Sequence, residues 1–310
     1  MSTTPTPTPA NTPANQANLQ PAANPNIRAP KVMLLGGPAG GKTTSLLSLA
    51  AKGISVRIVA TEYPDVLLDL PCADGKQTVR GVTYETWGGV HWKYTEPGKT
   101  DWATLTSNAE KINTLSNDAL QKLPGINKEK YRQWFDMLKS CSNFTCERCG
   151  KQFGDATNWT VNEALVMDSL SGLSIMARDL TVGAKPVITQ PDWGVMMQNL
   201  EAFLNACTTG TKCWFVLTAH LERELDESTS STKLMASTLG RKLAPKLPRF
   251  FTDVIYCRRE GTSWYWDTAA IDVDSKTRNL PINGKLNPDF GQIVDTWRAK
   301  QKVSFSTEGG

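Results

Sequence analysis

The sequence lacks an apolar run of about 18 residues, which is the length that a membrane-spanning helix needs. Its amino-terminal region also lacks the charged-then-apolar pattern of a secretion signal. The seven cysteines are dispersed and odd in number, so they do not resemble the framework of a disulfide-rich secreted protein. These absences predict a cytoplasmic protein in a reducing environment, without a membrane partner.

A strong excess of one charge is absent as well. The formal net charge is +4 over 310 residues, which neither requires a nucleic-acid partner nor argues against one. Any basic surface must therefore be local. Hydrophobic residues make up 40% of the chain, enough for the core of one large domain or two ordinary ones.

The composition changes sharply near residue 30. Residues 1–30 are rich in Pro, Thr, Ala, Asn and Gln and have almost no bulky apolar side chains. Such a segment buries too little surface to offset the entropy that ordering costs, so we expect a disordered tail. We predict one folded domain at 31–297, with an insertion at about 70–160, and a short carboxyl-terminal tail at 298–310.

The most informative segment is 36–43, which reads GGPAGGKT. It matches the phosphate-binding pattern G-x-x-x-x-G-K-[ST], with Gly36, Gly41, Lys42 and Thr43 in the fixed positions. Glycines allow backbone N–H groups to fold around an anion, because no Cβ blocks the approach. The positive end of the helix that follows would point at the same anion.

The flanking sequence supports this motif, since 31–35 is typical of a short buried strand and 44–52 of an apolar-faced helix ended by Gly53. In such a loop, Lys42 reaches the β- and γ-phosphates of a nucleotide and the Thr43 hydroxyl holds Mg²⁺. We therefore expect Mg-ATP as the ligand. The predicted contacts are Gly36, Gly37, Pro38, Ala39, Gly40, Gly41, Lys42, Thr43 and Thr44.

Alternating strands and helices predict an α/β fold with a mostly parallel central sheet flanked by helices. Further core strands are predicted at 55–60, 164–168, 212–219 and 253–257, and 264–267 is predicted to pair with 270–274. Helices are predicted within 101–140, interrupted at Pro124-Gly125, and at 169–180 and 191–207. The insertion is thus expected to be helical and to carry cysteines.

Parallel sheets bind ligands beyond the carboxyl ends of their strands, so polar residues that leave strands are candidates. Asp168 follows four apolar residues and could hold Mg²⁺, or it could cap the following helix. Glu62 leaves the second strand and could accept a proton from water, or be an exposed turn residue. His220 leaves the fourth strand and could contact a γ-phosphate, or be a satisfied core residue.

Together these features resemble the RecA-like branch of P-loop ATPases over about residues 31–296. The resemblance implies that Lys42, Glu62 and His220 take part in ATP hydrolysis and that Asp168 orders the metal. It also implies a role for the K-x-R element Lys276-Thr-Arg278.

In RecA-like proteins such an element reaches into the nucleotide of the neighbouring subunit. Arg278 would be an arginine finger acting in trans, with Lys276 assisting at the nucleotide. This implies a homo-oligomer, either a ring or a filament. The other interpretation is a solvated basic turn, since short basic pairs are common.

The segments DSLSGLS, QPDWG, LTAHLERE and RNLP are similar to RecA-like ATPases of tailed phages, including single-strand annealing ATPases. This likeness implies single-stranded DNA as a partner, a role in phage recombination or annealing beside other phage proteins, and the host cytoplasm as location. Two alternatives remain. One is a packaging or replisome-associated ATPase triggered by a protein partner, and the other is a nucleotide-gated binding module with little turnover. The absence of a lid-like arginine cluster disfavours a kinase.

Two segments could contact DNA. By resemblance, 221–237 corresponds to a DNA-facing loop and is expected to be mobile, although its acidic start does not suit phosphate contact. The stretch 241–259 has a single acid, Asp253, and could be a DNA track or a solvated face. Its basic residues are Arg241, Lys242, Lys246, Arg249, Arg258 and Arg259.

The cysteines at 141–149 are a candidate metal site. Cys146-Glu-Arg-Cys149-Gly is similar to a zinc knuckle, in which a tight turn presents two thiolates to one metal. Cys141 could be a third ligand for Zn²⁺. Cys72, His91 or Asp155 could supply a fourth, and the alternative is a set of reduced thiols in a loop.

Overall fold

The structure, a computed structural model, describes residues 27–98, 101–124, 128–183, 185–226, 231–239 and 242–306. Most of the predicted tail at 1–30 therefore lies outside the described residues, as do Gly125 and Arg241. Ala29 already belongs to the folded part, because it is buried and its N–H donates to the carbonyl of Lys212 at 2.9 Å.

The described chain contains thirteen strands and seven α-helices, as follows. The strands are β1 (Lys31–Gly36), β2 (Ser55–Ala60), β3 (Gly75–Val79), β4 (Val82–Trp87), β5 (Val90–Tyr94), β6 (Phe144–Thr145), β7 (Gln152–Gly154), β8 (Glu163–Asp168), β9 (Trp214–Ala219), β10 (Leu221–Asp226), β11 (Ser231–Ala236), β12 (Asp253–Glu260) and β13 (Ser263–Asp267). The helices are α1 (Lys42–Ala50), α2 (Trp102–Thr114), α3 (Asn117–Gln121), α4 (Lys128–Ser142), α5 (Leu170–Val182), α6 (Gln190–Thr209) and α7 (Gly291–Ser306). None of these helices is long and apolar enough to cross a membrane.

The central sheet has seven strands in the order β13-β12-β1-β9-β8-β2-β5. All of them are parallel except β13, which is antiparallel to β12. The middle strands are continuous apolar runs and are buried on both faces, as expected for a parallel sheet between two helical layers. The prediction of an α/β fold with a mostly parallel sheet flanked by helices is confirmed.

The sheet separates two hydrophobic cores. Along β1, Met33 and Leu35 pack with residues of α4, α5 and α6, whereas Val32 and Leu34 pack with residues of α1 and α7. Side chains of a strand alternate between its two faces, so one strand contributes to both cores. This arrangement leaves the ends of the strands as the places where polar groups can gather.

The predicted insertion at about 70–160 is not purely helical. It contains the β3–β4 and β6–β7 pairs, and its β5 is the edge strand of the central sheet, with Trp92 opposite Ile58 of β2. β5 was not predicted because polar residues interrupt its apolar pattern. A strand at the edge of a sheet does not need a continuous apolar run. At the other end of the chain, α7 runs across the predicted boundary at residue 298.

One predicted strand pairing and one predicted loop differ from the structure. β13 pairs with β12 through a tight hairpin at Gly261, whose φ is +59°, and not with 270–274. In 270–274, Val273 makes only an isolated bridge to Leu234. The expected mobile loop at 221–237 instead forms the β10–β11 hairpin in its described residues, because Leu221 and Leu234 pack against the core.

Candidate functional site

The carboxyl ends of β1, β2, β8 and β9 surround a cavity of about 260 Å³. Five of the residues predicted from sequence line it together, although they come from four different strand ends. They are Lys42, Thr43, Glu62, Asp168 and His220. Residues 39–44 of the glycine loop (defined as residues 36–43) and of the first turn of α1 complete one wall.

The glycine loop needs its glycines for two distinct reasons. A Cβ on Gly36 would lie 2.6 Å from the carbonyl oxygen of Cys257 in the neighbouring strand. Gly41 has a φ of +80° and is the N-cap of α1, a conformation that L side chains rarely adopt. Because Gly41 offers no capping side chain, the first N–H groups of α1 remain available to an anion.

Lys42 is almost fully buried, with 7% of its surface exposed. Its ammonium donates to the carbonyl oxygens of Gly36 and Gly37, each at 2.8 Å. Burial lowers the pKa of the Lys42 ammonium. Two of its three donors are used on the loop, so the ammonium keeps one donor for a ligand.

Asp168 accepts a hydroxyl hydrogen bond on each of its oxygens. Thr43 Oγ1 donates to Oδ2 at 2.8 Å, and Thr218 Oγ1 donates to Oδ1 at 2.5 Å. Asp168 is not the cap of α5, because the N-cap is Ser169 and it makes no side-chain capping bond. Thr218 was not singled out from sequence, although a threonine in the apolar run of β9 was the available signal.

Glu62 and His220 both line the cavity but differ in their exposure and hydrogen bonding. The Glu62 side chain is exposed, and its Oε1 accepts a long hydrogen bond from Ser169 Oγ at 3.4 Å. The buried Nδ1 of His220 has no hydrogen-bond partner among the described residues. Burial, followed by the nearby Lys42 ammonium, lowers the pKa of His220, so the ring is neutral near pH 7. His220 is therefore not a satisfied core histidine.

Thr61 fixes the spacing between Glu62 and Asp168. Its N–H and its hydroxyl both donate to the carbonyl oxygen of Asp168, at 2.7 and 3.1 Å, and Ser169 N–H donates back to the hydroxyl at 2.9 Å. A Cβ on Gly172 of α5 would lie 2.0 Å from Thr61 Oγ1, so only glycine fits there. The glycine inside the helical segment DSLSGLS was the sequence signal for this contact.

A tryptophan also covers the glycine loop. Trp264 Nε1 donates to the carbonyl oxygen of Ala39 at 2.9 Å, and its ring lies 3.1 Å from where a Gly41 Cβ would be. From sequence, Trp264 was predicted to lie in a strand, and its contact with the glycine loop was not predicted. Its role depends on the β12–β13 hairpin, which brings it to the carboxyl ends of the neighbouring strands.

Lys276 and Arg278 do not reach the cavity within one chain. The Arg278 N–H donates at 2.8 Å to Asp253, a fully buried residue that begins β12 at the opposite edge of the sheet. Lys276 donates to the carbonyl oxygens of Phe251 and Pro248, at 2.7 and 3.2 Å. A strand of six residues spans roughly 20 Å, so the two edges are far apart.

A larger groove of about 1180 Å³ lies at the amino-terminal ends of the strands, which we call the amino edge of the sheet; the opposite ends form its carboxyl edge. It is lined by many cations, namely Arg28, Lys31, Lys242, Lys246, Arg249, Lys276, Arg278 and Lys300. Glu201 pairs with Lys246 at 2.9 Å and with Arg249 at 3.0 Å. We call this feature the amino-end groove.

The predicted basic stretch at 241–259 is divided between the two edges of the sheet. Lys242, Lys246 and Arg249 line the amino-end groove, whereas Arg258 lies on β12 and pairs with Asp267 at 3.0 Å. The guanidinium of Arg259 binds the carbonyl oxygen of Gly261 at 2.8 Å. The described cations of this stretch therefore lie in two places, and a DNA track along it stays a prediction.

A second candidate site lies in the insertion. Cys72, His91, Cys146 and Cys149 place their ligand atoms within 4.8 Å of one another, and this group could hold a metal ion such as zinc. Cys141, predicted as a ligand, is not part of the group.

Cys141 fails as a ligand because α4 packs it against the core beside the sheet, where burial raises the pKa of its thiol to about 12. Asp155, one of three options for a fourth ligand, instead binds the N–H and hydroxyl of Thr157, at 2.8 and 2.7 Å. The other two options, Cys72 and His91, both belong to the group.

No protein-family model matches this chain, and a search of curated proteins gives no significant match. Function is therefore inferred from the chemistry of the two sites.

Proposed function

We propose that this protein is a RecA-like P-loop ATPase that binds Mg-ATP at the carboxyl-end cavity and hydrolyses it. The observation that carries the proposal is the Thr43–Asp168 hydrogen bond of 2.8 Å. It joins the hydroxyl that follows the loop lysine to the carboxylate at the end of β8, and these are the two oxygen ligands that such a metal site requires.

The side chains present fit Mg²⁺, which prefers oxygen ligands and keeps several of its waters. Thr43 and Asp168 would hold the ion, and the ion would offset the negative charge of the phosphates. The proposed ligands of this cavity are therefore ATP and Mg²⁺. The proposed metal of the cysteine–histidine group is Zn²⁺.

The glycine loop and Lys42 would bind the phosphates. The uncapped N–H groups of α1 and the positive end of the helix favour an anion at this point. Lys42 would offer a phosphate the donor that the carbonyls of Gly36 and Gly37 leave free, and its buried charge favours an anion because neither carbonyl is charged.

Glu62 and His220 would act at the γ-phosphate. Glu62 is an exposed carboxylate at the cavity, so it can accept a proton from the attacking water. The free, buried Nδ1 of His220 is suited to a hydrogen bond that depends on the γ-phosphate. The next residue, Leu221, begins the β10–β11 hairpin, which gives His220 a route by which to transmit nucleotide state.

Arg278 would complete the site of a neighbouring subunit. It lies about a strand length from its own cavity, is exposed, and its side chain makes no hydrogen bond or ion pair among the described residues. A guanidinium that is free in its own chain and remote from that chain's cavity could reach a bound nucleotide only in a second copy. We therefore propose a homo-oligomeric ring or filament. Lys276 is less free, since its ammonium already binds two carbonyl oxygens.

Single-stranded DNA is the proposed partner, with a role in phage recombination or annealing. The support is the sequence likeness to phage annealing ATPases, together with the cations of the amino-end groove. Lys242 is exposed there and makes no side-chain bond within the described part of the chain, so it can meet DNA phosphates.

One observation favours the alternative of a motor or assembly ATPase triggered by a protein partner. Helix α2 has no buried residue, and its apolar side chains are exposed, with Trp102 at 84%, Ile112 at 55% and Leu105 at 47%. Exposed apolar groups of this kind are typical of surfaces that bind another protein. This alternative uses the same nucleotide site and differs only in what stimulates hydrolysis.

The proposal is tested by Lys42→Ala, with Lys52→Ala as the matched control. Lys52 lies two residues beyond the end of α1, where its ammonium is at the surface and pairs with Asp295 at 2.7 Å. We expect Lys42→Ala to reduce Mg-dependent ATP hydrolysis on the order of 10³-fold, because phosphate charge stabilisation is lost. Lys52→Ala should hydrolyse ATP at the wild-type rate. Hydrolysis that is unchanged in Lys42→Ala would refute the assigned site.

A further inference from the structure

Two distances within the cysteine–histidine group are close to those of a four-ligand zinc site. Cys72 Sγ lies 3.9 Å from Cys146 Sγ, and Cys149 Sγ lies 3.7 Å from His91 Nδ1. Tetrahedral zinc with thiolate and imidazole ligands places those atoms about 3.5–3.8 Å apart. All four of these atoms lie within 4.8 Å of one another, so one ion can contact all of them.

The backbone between β6 and β7 is built to present two thiolates. Gly150 N–H donates to the carbonyl oxygen of Cys146 at 3.0 Å, and Cys146 N–H donates to the carbonyl oxygen of Lys151 at 2.9 Å. Gly150 has a φ of +70°, which a residue with a side chain rarely adopts. Backbone hydrogen bonds and the conformation of Gly150 therefore define the turn, and three thiolates with one imidazole are a ligand set that suits zinc.

The four ligands come from three segments that are remote in sequence. Cys72 follows the segment that leaves β2, His91 lies on β5, and Cys146 and Cys149 flank the β6–β7 turn. An ion bound here would fasten the edge strand of the central sheet to both neighbouring segments. Such a cross-link removes chain entropy from the unfolded state, as any closure of a long loop does.

The turn is also attached to the free edge of β5 by hydrogen bonds. Glu147 N–H donates to the carbonyl oxygen of Trp92 at 2.9 Å. The Glu147 carboxylate accepts from Tyr94 N–H at 3.0 Å and from the Lys93 ammonium at 3.2 Å. Glu147, one of the two residues between the thiolates, therefore holds the carboxyl-terminal half of β5.

That half of β5 contacts the segment carrying Glu62. The rings of Tyr94 and Tyr63 pack edge to face with centroids 5.8 Å apart, and Tyr63 directly follows Glu62. Thr95 donates from both its N–H and its hydroxyl to the carbonyl oxygen of Ala60, at 3.0 and 3.1 Å. A continuous set of contacts thus runs from the metal ligands to the cavity.

We infer that Cys72, His91, Cys146 and Cys149 bind one Zn²⁺, and that this ion positions the Glu62 segment by clamping β5 and the turn against it. Glu62 itself touches no ligand of the metal, so the zinc acts on it only through position. The effect on ATP turnover rests on the proposed function, whereas zinc binding and the ordering of residues 60–70 do not.

The first measurement is the zinc content of the purified full-length protein by elemental analysis. The test variant is Cys149→Ser, which alters an exposed ligand, and the matched control is Cys141→Ser, which alters a thiol outside the group. We expect about one zinc per chain in the wild type and in Cys141→Ser, and a loss of roughly tenfold or more in Cys149→Ser. Protein without zinc, or with iron in its place, would overturn the metal assignment.

The second measurement is amide hydrogen exchange, which reports position without requiring ATP. On removal of zinc from the wild type by a chelator, exchange in 60–70 and 90–95 should rise severalfold and return when zinc is added. Peptides from α7, which packs on α1 across the sheet, should be unchanged. Equal exchange with and without zinc at 60–70 would overturn the clamp, even if zinc binds.

Turnover distinguishes this inference from the proposed function. If the protein is an ATPase, loss of zinc should lower kcat with little change in KM, because the glycine loop and Lys42 remain in place. If the wild type binds zinc and shows the exchange response but hydrolyses no ATP, the ATPase proposal fails and the zinc clamp stands. A rise in KM for ATP with an unchanged kcat on loss of zinc would contradict the inference that zinc positions Glu62.

Discussion

Two buried lysines lie near opposite ends of β1, one at the amino edge of the central sheet and one at the carboxyl edge. They differ in how many of their ammonium donors already have a hydrogen-bond partner. Lys31 donates to Thr211 O, Thr211 Oγ1 and Cys213 O, at 3.2, 2.9 and 2.5 Å, which uses every donor of its ammonium. Lys42 donates to only two carbonyls, both in its own loop. Neither lysine has a carboxylate partner among these bonds, yet only Lys42 keeps a donor for a ligand.

The same difference applies to the surroundings of the two lysines. At the carboxyl edge, His220 Nδ1 and the first amides of α1 lack partners within the described residues. At the amino edge, Lys276 binds two carbonyls and Lys300 binds the carbonyl oxygen of Arg278 and, at 3.3 Å, Asn279 Oδ1. The larger cavity lies at the amino edge, where Lys242 and Arg278 make no side-chain bond among the described residues but are exposed. The two edges therefore differ in the buried polar groups that lack a partner, such as His220 Nδ1, and not in cavity size alone.

The largest expected effect at the amino edge is that of Arg278→Ala. If Arg278 acts on the nucleotide of a neighbouring subunit, kcat should fall on the order of 10³-fold while ATP binding is retained. Mixing Arg278→Ala with Glu62→Ala protein should restore part of the activity, because some interfaces then pair an intact Glu62 with an intact Arg278. The measurement is steady-state hydrolysis across mixing ratios.

The control for that experiment is Arg178→Ala, which removes a partly exposed arginine of α5 paired with its neighbour Asp179 at 3.0 Å. Full activity is expected from this variant. An absence of recovery in the mixture would show that Arg278 does not act in trans, and the two edges of the sheet would then be unconnected in catalysis.

A smaller effect is expected on stability from Lys31→Met. Burial lowers the pKa of Lys31 to about 8, below its unfolded value, so between pH 8 and 10 the unfolded chain binds more protons than the folded chain. The free energy of unfolding that Lys31 contributes should therefore rise with pH across this window, by about 2 kcal/mol. The variant should lack this rise.

The measurement is denaturant unfolding of the wild type and of Lys31→Met at several pH values from 8 to 10. Taking the difference between the two proteins cancels the titration of thiols that Lys31 does not influence, such as Cys257. The thiols of Cys207 and Cys213, whose pKa is raised by burial and lowered by the Lys31 ammonium, stay part of the difference. Parallel pH profiles would mean that Lys31 is not a buried charge of this kind, and the contrast between the two lysines would lose its basis.

The smallest effect is expected from Lys242→Ala in the amino-end groove. Removing one phosphate contact should reduce the slope of log affinity for single-stranded DNA against log salt by about 0.7. ATP hydrolysis without DNA should be unaffected. Lys285→Ala is the control, because Lys285 pairs with Glu260 at 2.7 Å and does not line the groove. Equal salt slopes in both variants would remove Lys242 from any DNA path.

Local sequence patterns were sufficient to predict many of the residues that gather at the carboxyl edge of the sheet. The glycine loop was predictable because its φ values, its glycines and the following helix are all encoded within 31–52. The apolar runs that end at Asp168 and His220 marked two strand ends, and a parallel sheet brings such ends together. The contacts of Thr218 and Thr61 depend on strand order, which no local pattern contains.

The metal group shows why the rest could not be predicted. Cys141 is closer in sequence to Cys146 than either Cys72 or His91, but α4 turns it toward the core. The true neighbours of the turn are set by the pairing of β5 with β2, a contact between distant segments. The β10–β11 hairpin and the isolated bridge of Val273 were missed for the same reason, since both depend on packing against the sheet.

The most direct test of the central claim is steady-state ATP hydrolysis in Mg²⁺, with and without single-stranded DNA, using Lys42→Ala as the blank. The account predicts that the wild type hydrolyses ATP well above the blank and that single-stranded DNA stimulates it. Hydrolysis that is indifferent to DNA would favour a partner-driven assembly ATPase. A wild-type rate no higher than that of Lys42→Ala would contradict the assignment of the carboxyl-end cavity as an ATPase site.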